Sequence, residues 1–242
     1  REAANDYVKT IGQEYEQVAE KHRKGEAEKQ RMPLATARAN AFRPSQMYTP
    51  MAPSFLGTRA YQNWDLGELA RYIDWTPFFQ AWEFKGSYPK ILEDERQGEA
   101  ARQLFGDAQA MVEKIVAEKW FTPKAVVGFW PANRVGDDVR LYTDEDRRED
   151  LATFFTLRQQ LSKSGDRPNV ALADFMAEPG TPDYLGGFCV TAGFEEIGIA
   201  DRFDAAHDNY SSILVKALAD RFAEAFAERL HEVVRKELWG YA

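Results

Sequence analysis

Three groups of side chains in this sequence have the types and spacing for chemistry. The first is Asp74, set in YIDWTPFFQAW among Tyr72, Trp75, Phe78, Phe79 and Trp82. A carboxylate at the edge of aromatic faces can take a cationic ligand, because ring quadrupole and charge both attract it. The same acid can instead cap a helix that opens near Pro77, where Thr76 and Pro77 suit an N-cap and first turn. Both readings stay open at this level. The second group lies in KALADRFAEAFAERLHE, where Asp220, Glu224 and Glu228 recur every four residues and share a helix face. Lys216, one turn before Asp220, is expected to pair with it. Phe222 and Phe226 bracket Glu224 and alanines flank it, so a second surface could come close there. The third is Asp137-Asp138 after Gly136. Such a pair can ligate a metal, but turn chemistry and solvated charge are the stronger expectation.

Other chemistries find no support. There is no GxSxG, Walker lysine loop, HExxH or GxGxxG. His22, His207 and His231 are too dispersed for zinc spacing, and no metal site is expected. Cys189 is the single cysteine, so no intrachain disulfide can form; its place in GGFCVTAG predicts a buried structural thiol. Gly186-Gly187 is expected to admit a close backbone rather than to cradle a phosphate.

The elements that must position these groups follow from periodicity. Residues 1–30 read as a helix with a thin apolar stripe of Tyr7, Val8, Ile11, Tyr15 and Val18. The proline-bearing stretch RMPLATARANAFRPSQMYTPMAPSFLG reads as extended and irregular. Residues 88–119 form a long amphipathic helical region. KAVVGFW (124–130) is a strand, PANRVGDD a turn-rich loop, and VRLYTDE (139–145) the returning strand. The first half of LATFFTLRQQL, then NVALADFM (169–176) and YLGGFCVTAG (184–193), complete the strands. From Ala206 to Leu238 apolar residues recur at three and four, a helix of about 45 Å. This order predicts an α+β fold with a mostly antiparallel sheet.

The 242 residues carry 44% hydrophobic and 13% aromatic side chains, enough for a substantial core, and a formal net charge of −8. That charge disfavours nucleic acid and anionic membrane as general partners. No stretch is long enough to span a bilayer, and REAANDYVKT has no apolar signal region, so a soluble cytoplasmic protein is expected.

ADFMAEPGTPDYLGGFCVTAG and HDNYSSILVKALADRFAEAFAERLHEVVRKELWGYA closely resemble the C-terminal activation (S-adenosylmethionine-binding) domain of cobalamin-dependent methionine synthase. RYIDWTPFFQAW, YPKILEDE and VVGFWPANRVGDDVRLY are similar to the same family, so the resemblance runs from about residue 64 to 242. It implies a curved α+β domain with a twisted, mostly antiparallel sheet flanked by long helices, over residues 61–242. Residues 1–60 would be a helical and extended linker from a preceding cobalamin-binding domain. The implied enzyme is a methyltransferase acting on 5-methyltetrahydrofolate and homocysteine. The implied role is reductive methylation of cob(II)alamin to methylcobalamin. S-adenosylmethionine would be bound here and cobalamin by a partner domain of the same polypeptide, with an electron from a flavodoxin-type donor. Zinc would belong to the parent enzyme and not to this chain. By the same resemblance Asp74 and Glu224 line the S-adenosylmethionine site, and no residue is catalytic, because methyl transfer moves no proton. Asp220 and Glu196 are expected as exposed acids near the cobalamin-facing surface. The family's Arg-x-x-x-Gly-Tyr ligand motif is expected beyond Ala242, which reads the chain as a fragment lacking its C-terminal portion. The alternative is a docking module that caps a cobalamin domain without a ligand of its own.

Overall fold

The structure is a computed structural model that describes residues 2–44 and 49–241. Residues 45–48 of the expected extended segment lie outside it. The described residues fall into two compact units, Arg1–Pro50 with Pro131–Asp183 and Met51–Trp130 with Tyr184–Ala242. Strand β2 (Lys124–Val135) belongs to the second unit up to Trp130 and to the first from Pro131.

The first unit begins with helix α1 (Glu2–Glu28), whose Tyr7, Val8, Tyr15 and Val18 are exposed. The next segment is not wholly irregular. It forms a short helix, α2 (Leu34–Ala39), that buries Ala37. Backbone bonds Met32 N–H to Gln160 O (2.8 Å) and Ser162 N–H to Gln30 O (2.8 Å) tie its start to the 160–162 strip. The second half of β2 pairs antiparallel with β3 (Asp138–Tyr142), which pairs antiparallel with β4 (Asp150–Phe154). Thus residues 131–135, expected in a loop, continue the strand. Only Gly136 and Asp137 make the turn, and Gly136 has φ +67°, as the first centre of a mirror-image hairpin turn demands. Asn133 explains the extension. Its buried side chain donates to the carbonyls of Ala177, Glu178 and Thr181 and accepts from Arg147.

Residues 169–176 are not a strand. Leu172–Phe175 form a 3-10 turn in which Ala173 and Asp174 are buried while Leu172 and Phe175 face solvent. The Asp174 carboxylate causes this. It accepts from Ala171 N–H (3.0 Å) and is gripped by Arg158, Nη1 to Oδ2 at 2.7 Å and Nη2 to Oδ1 at 2.6 Å. Arg158 also bonds Asp137, which is held from its other side by Arg38 of α2 (2.8 Å). Both oxygens of Asp137 therefore go to guanidinium groups, and Asp138 accepts from Thr156 N–H (3.0 Å).

The second unit contains β1 (Gly57–Gln62), a strand just after the proline-bearing segment for which the sequence carried no expectation. It pairs antiparallel with the first half of β2, Gly57 opposite Phe129 and Gln62 opposite Lys124. Strand β5 (Tyr184–Thr191) also pairs with β2, giving a five-stranded sheet in the order β1-β2-β3-β4 with β5 beside β2. Three helices built on three-and-four spacing cover its core. The 88–119 region resolves into a 3-10 turn (Lys90–Glu93) and α5 (Gly98–Glu118), which buries Ala101, Leu104, Ala108, Met111 and Ile115. It ends where Lys119 turns left-handed at φ +52°. The last helical region is α6 (Glu195–Ala205), then α7 (Asn209–Val233), then a π-helical turn over Val234–Leu238. Asp208 caps α7 through Ser211 N–H (3.0 Å). Leu214, Leu218, Phe222, Phe226 and Leu230 form its buried stripe against Leu69, Phe78, Phe79 and Ile115. Each such side chain contributes about 1.5–3 kcal/mol by leaving water.

Two expectations fail in this unit. Cys189 is exposed, because residues 187–189 of β5 face solvent. Gly186 admits aromatic side chains, not backbone; a Cβ there would lie 2.8 Å from the Phe129 ring and 2.9 Å from Trp239. Among the described residues no helix is long and apolar enough to cross a membrane.

Candidate functional site

Asp74 stands at the start of α4 (Trp75–Ala81), after the short α3 (Leu66–Ala70). It is the N-cap itself: its Oδ1 accepts from Thr76 N–H at 2.9 Å, two positions earlier than the Thr-Pro pair suggested. Its side chain is exposed, while Phe78 and Phe79 behind it are fully buried. The aromatic run therefore divides. The phenylalanines build the core, with Trp75 edge-on to Phe78 (5.4 Å) and Phe105 (4.9 Å), and the acid is left at the surface. Capping consumes one lone-pair direction and leaves the second oxygen for another donor.

Glu224 is exposed on α7, with its Oε2 accepting from Arg221 Nη1 at 2.7 Å. Asp220 is exposed one turn earlier. Lys216 does not pair with Asp220; it lies 3.8 Å from Asp204 instead. Glu196 is half-buried rather than exposed, and its Oε2 has no hydrogen-bond partner among the described residues.

Sequence reasoning missed a chain of partly buried charges that joins α3 and the Asp74 turn to α7. Trp64 Nε1 donates to Glu68 Oε2 (2.8 Å), and Arg229 Nε donates to Glu68 Oε1 (2.5 Å). Arg229 Nη1 reaches Glu232 Oε2 (3.3 Å), and the Tyr72 hydroxyl donates to the same oxygen at 2.5 Å. Lys236 holds the other oxygen of Glu232. The hydrogen bonds from Lys236 and Tyr72 pull the Glu232 carboxyl down to about 2. The Tyr72 phenol is pushed up by the bond to Glu232. A signal was present: Glu232 extends the four-residue row of Asp220, Glu224 and Glu228 by one step. What it meets, 160 positions away in sequence, carries no local pattern.

The second unit is thus an α+β module in which one candidate acid caps the helix after the α3–α4 turn and the other lies on the long helix that this turn is bonded to. Among the described residues no cluster of His, Cys, Asp and Glu could hold a metal ion. Residues 65–242 match the family model described as "Vitamin B12 dependent methionine synthase, activation domain". The chain belongs to that family. A solved structure described as "Crystal Structure of the MetH Reactivation Domain bound to AdoHcy" is 50% identical and superposes with a TM-score of 0.83 over 88% of this chain. This chain spans 66% of the length of that structure.

Proposed function

We propose that this chain binds S-adenosylmethionine and docks on a cobalamin-binding domain, supporting the return of cob(II)alamin to methylcobalamin. The observation that carries the reading is the 50% identity to a reactivation domain that binds AdoHcy, the demethylated form of that ligand. The acids present fit such a ligand. Its α-ammonium and sulfonium are cations, its adenine amine and ribose hydroxyls are donors, and Asp74 and Glu224 are exposed acceptors. The sulfonium supplies a methyl group, and one electron from a flavodoxin-type donor completes the change at cobalt. The protein's share is binding and orientation. Residues 1–60 then lead out of the cobalamin domain of the same polypeptide, 61–242 form the activation domain, and the enzyme works in the cytoplasm as a methyltransferase whose zinc lies in other modules. Calorimetric titration of AdoHcy into the full-length parent protein tests this: binding should be present and weakened by Asp74→Asn. Unaltered affinity in that variant would remove Asp74 from the site, and no binding at all would leave only the capping-module alternative.

A further inference from the structure

Among the described residues Asp74 has one hydrogen bond, to Thr76 in α4, and that bond fixes it relative to α4. Helix α4 itself packs on α7 through Phe78 and Phe79, but the directional, hydrogen-bonded tie from this turn to the acidic row of α7 comes from the residue two positions earlier. Tyr72 reaches Glu232 at 2.5 Å, and Glu232 lies eight residues beyond Glu224 on the same row, about 12 Å along the axis. The other side of the turn is held in parallel, since Glu68 of α3 binds Arg229 one turn away on α7. Side chains of Glu68, Arg229 and Glu232 are only 25%, 20% and 23% exposed, so these are shielded, charge-assisted bonds rather than solvated surface pairs. Ile73, buried between the tether and the acid, leaves the backbone little room to adjust.

We propose that Tyr72 and Glu232 are positioning residues that hold the Asp74 carboxylate in register with the Glu224 row of α7, with Glu68 and Arg229 securing the far side of the same turn. This rests on the reading of Asp74 as a ligand-site acid. The hydroxyl of Tyr72 then acts on the ligand only through Asp74, which makes it separable from a residue that merely stabilises the fold.

The test is a double-mutant cycle in the full-length protein, read by AdoHcy titration, with Tyr72→Phe and Asp74→Asn made singly and together. Tyr72→Phe keeps the ring and removes one hydrogen bond, so affinity should fall by about three- to tenfold. In the Asp74→Asn background the same change should have no further effect. Glu232→Gln keeps an acceptor but not the charge, and should show the same dependence on Asp74 with a smaller fall. Equal losses in both backgrounds, or no loss from either Tyr72→Phe or Glu232→Gln while Asp74→Asn still weakens binding, would overturn the positioning role alone. No loss from Asp74→Asn would overturn the ligand-site reading and the positioning role with it.

Discussion

The two units of this chain are held by different physics. In the second unit the largest fully buried side chains, Phe78, Phe79, Phe222 and Phe226 among them, make a continuous hydrophobic cluster. In the first unit the polar side chains of Asn133, Arg158, Asn169 and Asp174 are buried, while Phe155 is 83% and Leu157 90% exposed. One guanidinium there organises three segments: Arg158 binds Asp137, Asp174 and the Asn169 carbonyl. A core of rings tolerates small shifts because dispersion is nearly isotropic. A buried ion pair does not, because its worth depends on both partners being present. The difference teaches where each unit should break.

Removal of one partner from the polar centre should have the largest effect. Arg158→Ala strips the fully buried Asp174 of its two short guanidinium bonds and leaves it only Arg134, at 3.4 Å, as counter-charge, and should destabilise the first unit by about 3–5 kcal/mol. Phe222→Ala should cost the second unit a similar 3–5 kcal/mol by opening a cavity. Arg158→Met together with neutral residues at Asp174 and Asp137 should recover much of the loss, whereas no surface change rescues the cavity. Hydrogen exchange followed segment by segment reads each unit separately. Loss of protection in residues 57–62 and 214–230 on Arg158→Ala would erase the distinction.

Acid should separate the units without any mutation. Burial pushes the Asp174 and Asp137 carboxyls up, but hydrogen bonds and charge from Arg158, with Arg38 at Asp137, more than offset this and hold both below the usual range. A group with a lowered folded value stabilises fully above its unfolded value, near 3.9, and loses that contribution as pH falls through the folded value. Protection in the first unit should therefore decline below about pH 4; in the second the Glu232 carboxyl, lowered to about 2, loses its contribution over the same range, so its ties to Tyr72 and Lys236 should loosen while the ring core persists. Simultaneous loss in both units would show that the ion cluster does not govern acid stability.

Asp74→Asn sharpens the comparison at the site. Asn caps a helix about as well as Asp, so the melting temperature should change little. Affinity for S-adenosylmethionine in the full-length protein should fall by about 1.5–3 kcal/mol, the range for a hydrogen bond to a charged group. A large drop in melting temperature with unchanged affinity would make Asp74 a cap and nothing more.

Much of the second unit was legible because its elements obey one period for a long run. The stripe of α7 and the face of α5 are written at three-and-four spacing, and β5 falls within a predicted strand; in the first unit β3 and β4 each begin one residue before theirs. The first unit hid more. Asp174 overrides a strand-like alternation by capping a tight turn and binding Arg158, sixteen residues back, so the apolar Leu172 and Phe175 end outside. Burial of Cys189 was inferred from a continuous apolar run, yet of β5 only Tyr184 is fully buried. For the site, Asp74 and Glu224 came from resemblance, while the Tyr72–Glu232 bond required the fold, because a hydroxyl and a carboxylate so distant in sequence share no local signal.

The smallest effect expected concerns docking. Asp220 is exposed on α7, and Glu196 is half-buried near the start of α6 with one oxygen lacking a donor among the described residues. That oxygen is itself shut from solvent, so it can gain a bond only if docking turns the side chain outward, whereas a fully solvated acid mainly steers approach. Neutralising Asp220 should thus slow association with the cobalamin domain and flatten its salt dependence, by well under 1 kcal/mol. Glu196→Gln should leave association unchanged and speed release. The pair, made together in the full-length protein and followed by the cobalamin absorption spectrum, should shift the docked population without altering the melting temperature of either unit. An unchanged docking equilibrium in the double variant would exclude both acids from the interface. A change confined to Asp220 would show that the unpartnered oxygen of Glu196 has no role in it.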